Sequence, residues 1–222
     1  MIKQIHLEQC HSTQDVLKEQ FNSEDEIETI LVSCENQISG RGRGENNWSC
    51  MKGTLCFSIN IPPHPLMSFT AIELSVIISD YFESKNRSLL LKWPNDLWDM
   101  NHKKCAGILV QGNQKNLFAG VGINLFSSEI EFGRVFDQEC PLNKESLSQE
   151  IATYIVTHRI HNVETLKNKW LKRCGHLNKN VTIIEGEQKT RGNFIGIGEF
   201  GEALIETSIE IKKLYNGSLK IN

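Results

Sequence analysis

Between two runs rich in β-branched and apolar residues, 27–34 and 54–61, the chain carries a polar stretch from Gln37 to Trp48 with three glycines, two arginines and one indole. The flanking runs read as strands, the second closed by Pro62-Pro63, so the polar stretch has to be a loop between them. Glycines let its backbone take positive φ and turn amides toward an anion. Arg41 and Arg43, at alternate positions, supply charge and forked donors for phosphate or carboxylate. Trp48 adds a flat surface on which a base can stack. Arginine–glycine stretches also occur in segments that bind nucleic acid, so these residues alone leave open a small-molecule phosphate clamp and a nucleic-acid contact.

The remaining periodicity is mixed. Ser12 or Thr13 caps a first helix running through Val16, Leu17 and Phe21. A second helix is expected over 69–82, from Ile72, Val76, Ile77 and Phe82, followed by a short buried strand, 89–91, that enters Lys92-Trp93-Pro94-Asn95-Asp96. Residues 106–111 and 117–125 form a hairpin around 112–115, and two further helices run through Leu147, Ile151 and Ile155, then Val163, Leu166 and Trp170. After Cys174-Gly175 the texture changes to short strands broken by turns, which fits a small β-barrel too short to stand without the larger unit. The expected fold is α+β: a mixed β-sheet with packed helices over 1–174 and a small β domain over 175–222.

Composition narrows the function classes. A chain of 222 residues with 39% hydrophobic and 23% charged residues can bury one substantial core. Its formal net charge of -3 disfavours a general nucleic-acid binder with a basic surface. The N-terminus lacks an apolar signal core and no run reaches the roughly 18 apolar residues of a membrane span, so a cytoplasmic protein without a membrane partner is expected. Seven cysteines, odd in number and scattered without a Cys-x-x-Cys pair, read as reduced structural thiols. His158 and His161 read as a solvated helical face rather than metal ligands.

Three features have ordinary readings when taken singly. Trp93-Pro94-Asn95-Asp96 suits a strand-ending turn, and Lys104 beside Lys103 suits a solvated hairpin edge. Gly120-Val121-Gly122 suits a close-packed strand or a bulge; no helix signature follows it to make a dinucleotide site.

The order and spacing of the pieces change this. Ser12-Thr13-Gln14, Gln37 before Gly40-Arg41-Gly42-Arg43, Trp48, Lys92-Trp93-Pro94-Asn95-Asp96, Lys104-Cys105-Ala106-Gly107-Ile108-Leu109 and Gly120-Val121-Gly122-Ile123-Asn124 together resemble the biotin protein ligase family, over residues 12–124. The β-rich tail resembles that family's C-terminal SH3-like domain. The resemblance implies a class II synthetase-like ligase domain and a reaction in two steps. The biotin carboxylate attacks the α-phosphorus of ATP to give biotinyl-5′-AMP, and an acceptor lysine then attacks the mixed anhydride. It further implies that Ser12, Thr13, Gln14 and Gln37 bond the ureido ring, with Gly40, Arg41, Gly42, Arg43, Lys104 and Gly107 completing the biotin site. Arg41, Arg43, Trp48, Asn95, Lys104 and Asn124 face the nucleotide, and Asn124 helps place Mg²⁺ through water. Lys104 carries catalysis with Arg43, and Asp96 accepts or orients the incoming lysine's proton.

Some positions depart from the family pattern. Gln14 replaces the more usual asparagine, Gly44-Glu45-Asn46-Asn47 makes the loop less basic, and the C-terminal end lacks an arginine that some relatives direct toward ATP. The Ser-Thr signature arrives at residue 12, which leaves no room before it for the winged-helix domain of some family members, and no DNA binding is expected. The implied partner is a biotin carboxyl carrier protein or domain of acetyl-CoA carboxylase or a related carboxylase; exposed strand edges would also permit a homodimer. Two rivals remain at this point, a lipoate-type ligase and a non-catalytic nucleic-acid-binding protein.

Overall fold

The computed structural model describes residues 1–21, 28–44, 46–50, 52–126, 131–138 and 143–222. Ile27, Glu45 and Cys140, which enter the expectations above, lie outside them. In chain order the elements are β1 (Ile2–Cys10), α1 (Thr13–Gln20), β2 (Thr29–Gln37), β3 (Gly40–Arg41), β4 (Asn47–Trp48), β5 (Thr54–Ile61), α2 (Thr70–Ser84), β6 (Leu90–Lys92), β7 (Asp96–Trp98), β8 (Lys104–Gly112) and β9 (Leu117–Asn124). They continue with α3 (Lys144–Thr157), α4 (Val163–Lys172), β10 (Asn180–Glu185), β11 (Gln188–Ile197), β12 (Ala203–Glu206), β13 (Ile211–Leu214) and β14 (Ser218–Ile221).

Seven strands form one sheet in the order β1-β2-β5-β9-β8-β7-β6. Only the first pair is parallel, as its α1 crossover requires; the others are antiparallel. Period-two alternation gives each strand two faces. Ala106, Ile108, Ala119, Val121 and Ile123 enter the main core, together with Phe57 of β5, Ile77 of α2 and Ile151 of α3. The intervening positions Gly107, Leu109, Gly120 and Gly122 border a cavity on the opposite face. On that face α1 covers only part of the sheet, through Leu17 against Ile30 and Val32. A sheet face half covered by one short helix leaves room for a ligand.

Helix α2 also buries Glu73, which is 0% exposed. Arg159 grips it with Nε and Nη2, each at 2.8 Å, and the Ile160 amide donates to it at 2.7 Å. This satisfied pair fixes the chain between α3 and α4. His158 and His161 are both exposed, as expected, but they do not share a helical face: His158 caps α3 and stacks on Tyr154 at 3.7 Å between centroids, and His161 lies beyond the helix.

The C-terminal strands make an antiparallel sheet in the order β13-β12-β11-β10-β14, the small β unit expected from the tail. Its Val181, Phe194 and Ile205 join the same core as the large sheet. His176 is wedged at this junction, 4.2 Å from Phe194 and 5.8 Å from Trp170 between ring centroids. Burial, reinforced by the charges of Lys92 and Lys179, pushes its imidazole down to about 3.

The described cysteines are free thiols, and four that are scattered along the sequence meet in the fold: Cys10, Cys34 and Cys56 form a buried cluster, with Cys50 packed against it. Strand register brings them together, since Cys34 of β2 stands opposite Cys56 of β5.

Candidate functional site

The cavity on the α1 face has a volume of about 400 Å³. Its first wall is the start of α1. Ser12, Thr13 and Gln14 are all buried, and the Ser12 side chain does not cap the helix. Gln37 does so from the end of β2: its Oε1 accepts from the Thr13 amide at 2.9 Å and from Thr13 Oγ1 at 3.1 Å. Thr13 Oγ1 also bonds Ser58 Oγ at 2.8 Å. Gln14 Nε2 donates to the Phe118 carbonyl at 2.9 Å, which turns Oε1 toward Gly120. The result is a cluster of hydroxyl and amide groups on the floor beside Gly120.

The second wall is cationic. Lys104 Nζ lies 2.7 Å from Asp96 Oδ1, and Lys92 Nζ lies 3.5 Å from Asp96 Oδ2, so one carboxylate bridges two ammonium groups. Burial pushes the Lys92 ammonium down and Asp96 opposes that shift. The β6–β7 hairpin presents Lys92 and Asp96, turning through Trp93, Pro94 and Asn95, and β8 begins with Lys104; the Trp93–Pro94 bond is cis. Trp93 Nε1 donates to the Gly201 carbonyl at 3.0 Å, tying the turn to the C-terminal sheet.

The arginine stretch folds across the mouth as a two-stranded hairpin, with Gly40 opposite Trp48 and Arg41 opposite Asn47. Its tip is closed by the Gly42 amide on the Asn46 carbonyl at 2.7 Å, with Gly44 at φ 61°. Arg43 points inward: Nη1 donates to the Gly217 carbonyl at 3.2 Å and reaches Asn95 Oδ1 at 3.5 Å. Burial pushes its guanidinium down while Asp96 holds it up. Arg41 lies at the rim, paired with Asp15. The Trp48 indole enters the cavity and packs on two glycines. A Cβ on Gly122 would meet Trp48 Nε1 at 2.4 Å, and one on Gly107 would meet Trp48 Cζ3 at 3.2 Å and Lys104 Nζ at 3.3 Å. Lys104 Nζ stands 5.5 Å from the Trp48 ring centroid. The Gly-x-Gly of β9 is therefore a seat for an indole.

Of the residues singled out from sequence, Ser12, Thr13, Gln14, Gln37, Arg41, Gly42, Arg43, Trp48, Asn95, Asp96, Lys104 and Gly107 all border this cavity. Gly40 and Asn124 do not. Gly40 sits behind the hairpin, where a Cβ would meet the Trp48 carbonyl at 2.4 Å. Asn124 is buried with its amide spent on Thr54 Oγ1, at 3.3 Å, and the Gly133 carbonyl, at 3.4 Å. Ser58, Lys92, Cys56 and the turn at Gly217-Ser218 border the cavity without having been singled out as site residues. Lys92 lay inside a quoted motif, whereas the others had no signal of their own.

Asp96 is the one carboxylate among the described residues lining the cavity. No group of three or more His, Cys, Asp or Glu side chains among them is placed to hold a metal ion. No helix among the described residues is long and apolar enough to cross a membrane.

Known proteins share this architecture. The fold matches a biotin protein ligase from Aquifex aeolicus, solved in complex with biotin and ATP, with a TM-score of 0.80 and 27% identity over 100% of both chains. A biotin acetyl coenzyme A carboxylase synthetase from Helicobacter pylori, solved with bound biotinylated ATP, shares the fold with a TM-score of 0.74 and 22% identity, over 96% of this chain and 100% of its own. The bifunctional ligase/repressor BirA of Bacillus subtilis (strain 168) is 23% identical over 233 residues, 95% of this chain and 71% of that protein. The model of the biotin/lipoate A/B protein ligase family matches residues 7–125, more than half of the chain, and the chain belongs to that family.

Proposed function

We propose that the protein is an ATP-dependent biotin–protein ligase, which forms biotinyl-5′-AMP and passes the biotinyl group to a lysine of a biotin carboxyl carrier protein or domain. The observation that carries this reading is the polarity of the cavity. Leu109 pairs with Gly120 and Gly107 pairs with Gly122 across β8 and β9. The uncharged polar cluster lies at the first pair, and Lys104 and Trp48 lie at the second. Two residues along a strand span about 6.7 Å. That suits a ligand with a ureido ring at one end, a short apolar chain passing beside the indole, and a carboxylate at the other.

Each group then has a role. Ser12, Thr13, Gln14, Gln37 and Ser58 hold the ring, where an unpaired polar atom would cost about 1–3 kcal/mol. Lys104 leaves Asp96 for the incoming anions and neutralises the charge shared by carboxylate and α-phosphate as the acyl–phosphate bond forms and pyrophosphate departs. Lys92 and Arg43 supply the remaining positive charge. Asp96, released from Lys104, orients the acceptor amine and takes its proton as the amine attacks the acyl carbon and AMP leaves. Trp48 covers the ligand from the hairpin side. Mg²⁺ would accompany the nucleotide, held by phosphate oxygens and water, and would screen their charge. Asn124 Oδ1 already accepts from Thr54 Oγ1, and the residue does not border the cavity, so Asn124 supports the nucleotide side only indirectly. We place the ligase unit at 1–174 and the C-terminal β unit at 175–222, and the protein in the cytoplasm.

The test is biotin- and ATP-dependent labelling of a carrier-domain lysine read by mass spectrometry, beside calorimetric titration with biotin and with lipoate. Labelling together with tight biotin binding supports the reading. Tight lipoate binding without biotin heat assigns the chain to lipoate transfer instead.

A further inference from the structure

Three strands and the end of the arginine hairpin bring four thiols together beside the ligand cavity. Cys10, Cys34 and Cys56 are buried in one cluster, and Trp48 and Cys50 pack against it. Strand register sets Cys34 opposite Cys56, and Cys50 packs against the same cluster from the end of the hairpin. Cys50 and Cys56 are the two that stand out by their surroundings. Cys50 lies two residues beyond Trp48 and is the partly exposed member of the four; Cys56 is buried and borders the cavity. Cys50 Sγ accepts from Gln37 Nε2 at 3.8 Å, on the same amide whose oxygen caps α1 at Thr13.

We propose that Cys50 and Cys56 form a peroxide-reactive thiol pair whose disulfide weakens ligand binding in the adjoining cavity. The consequence for binding rests on the biotin site proposed above; the thiol chemistry does not.

The two sulfurs differ in the way such chemistry needs. Hydrogen bonding from Cys56, from Gln37 and the charge of Lys144 pull the Cys50 thiol down despite burial, while Cys56 is pushed well up. Cys50, the partly exposed sulfur, is the one that peroxide reaches and that attacks, and the buried Cys56 resolves. In the first step Cys50 sulfur attacks one oxygen of hydrogen peroxide, an S–O bond forms, the O–O bond breaks and water leaves, giving a sulfenic acid. In the second step Cys56 sulfur attacks Cys50 sulfur, the S–S bond forms and the S–O bond breaks. The hydroxyl departs as water with the Cys56 proton. Two thiols are oxidised and one peroxide is reduced to two waters.

The bridge reaches the site by two routes. It staples the strand that carries Trp48 to β5, and it takes from Gln37 Nε2 the thiolate it bonds. Gln37 sets the start of α1, so both the indole and the uncharged polar cluster are disturbed together.

The test uses the full chain, reduced, desalted and exposed to graded hydrogen peroxide, with free thiols then alkylated and peptides mapped by mass spectrometry. The expected first product is a Cys50–Cys56 disulfide, accompanied by at least a fivefold loss of biotin affinity in calorimetry and restored by dithiothreitol. Cys50→Ser and Cys56→Ser should each abolish the peroxide effect relative to their own untreated samples, with folding checked by circular dichroism. If either variant fails to fold, the wild-type peptide map and the dithiothreitol recovery still decide. A Cys10–Cys34 bridge formed first, an absence of the Cys50–Cys56 bridge, or that bridge with unchanged biotin affinity overturns the proposal. If the reduced, untreated protein binds no biotin while peroxide still forms the Cys50–Cys56 bridge, the ligand assignment is overturned and the thiol chemistry stands.

Discussion

The indole of Trp48 rests on the bare backbone of Gly122, so closely that a single added carbon there would fall 2.3 Å from Cε2. The ring also touches Gly107 and stands beside Lys104, so it joins the hairpin, the sheet and the cationic wall at one point.

Gly122→Ala should therefore lift the indole from its seat. Overpacking of this kind costs about 1–3 kcal/mol, and the expected outcome is a tenfold or greater loss of biotin affinity. Calorimetry measures the loss, and a change in tryptophan emission reports the displaced ring. Wild-type affinity and emission would show that the indole seat is irrelevant to binding.

Lys104→Ala removes the ammonium nearest the proposed reacting anions. Loss of one preorganised electrostatic contact typically lowers rate by about 10²–10³, so biotin-dependent ATP–pyrophosphate exchange should fall by that order. The circular dichroism spectrum should stay unchanged, because Lys104 is partly exposed. Unaltered exchange in the folded variant would remove Lys104 from the chemistry.

Arg43→Ala deletes the contacts to Asn95 and Gly217 and one charge over the intermediate. Release of biotinyl-5′-AMP in a filter or rapid-dilution assay should accelerate by roughly tenfold, equal to about 1.4 kcal/mol. Release at the wild-type rate would dismiss the retention role.

His176 gives a pH-dependent stability. Its ordinary value of 6.5 falls to about 3 in the folded chain. The unfolded chain therefore binds the proton more readily, and the stabilisation present above pH 6.5 is lost as pH falls toward 3. At pH 5 the loss is roughly 2 kcal/mol. His176→Phe should lose less stability than wild type between pH 7 and pH 5 in denaturant titrations; equal losses would contradict the assignment.

The parts of the fold readable from sequence were those whose patterns are self-contained. Strands β2 and β5 show as β-branched apolar runs, and α2 shows as a helical stripe because Ile72, Val76, Ile77 and Phe82 recur at helical spacing among its buried residues. Strand β1 escaped because Lys3, Gln4, His6, Glu8 and Gln9 interrupt it, as suits the outer strand of a sheet, and its pairing with β2 is fixed only in three dimensions. The site was readable where residues fall in linear motifs, as with Lys92 to Asp96. Ser58 was not: a serine in an apolar strand has no pattern, and only its register opposite Gly120 brings it to Thr13. Asn124 shows the converse. Its spacing from Gly120 and Gly122 sets it on their face, yet Thr54 and Gly133 engage its amide. The thiol cluster likewise needs three strands in register before it exists.

The bond from Arg43 to the Gly217 carbonyl has a thermodynamic corollary. It fastens the hairpin over the cavity to the turn before β14, so hairpin closure and the resting position of that turn are linked equilibria. Linkage is reciprocal: whatever ligand holds the hairpin shut must steady the C-terminal sheet to the same degree. Backbone amides in β10 and β14, distant in sequence from every residue of the uncharged polar cluster, should exchange with solvent more slowly when the cavity is filled, making the far sheet a gauge of occupancy.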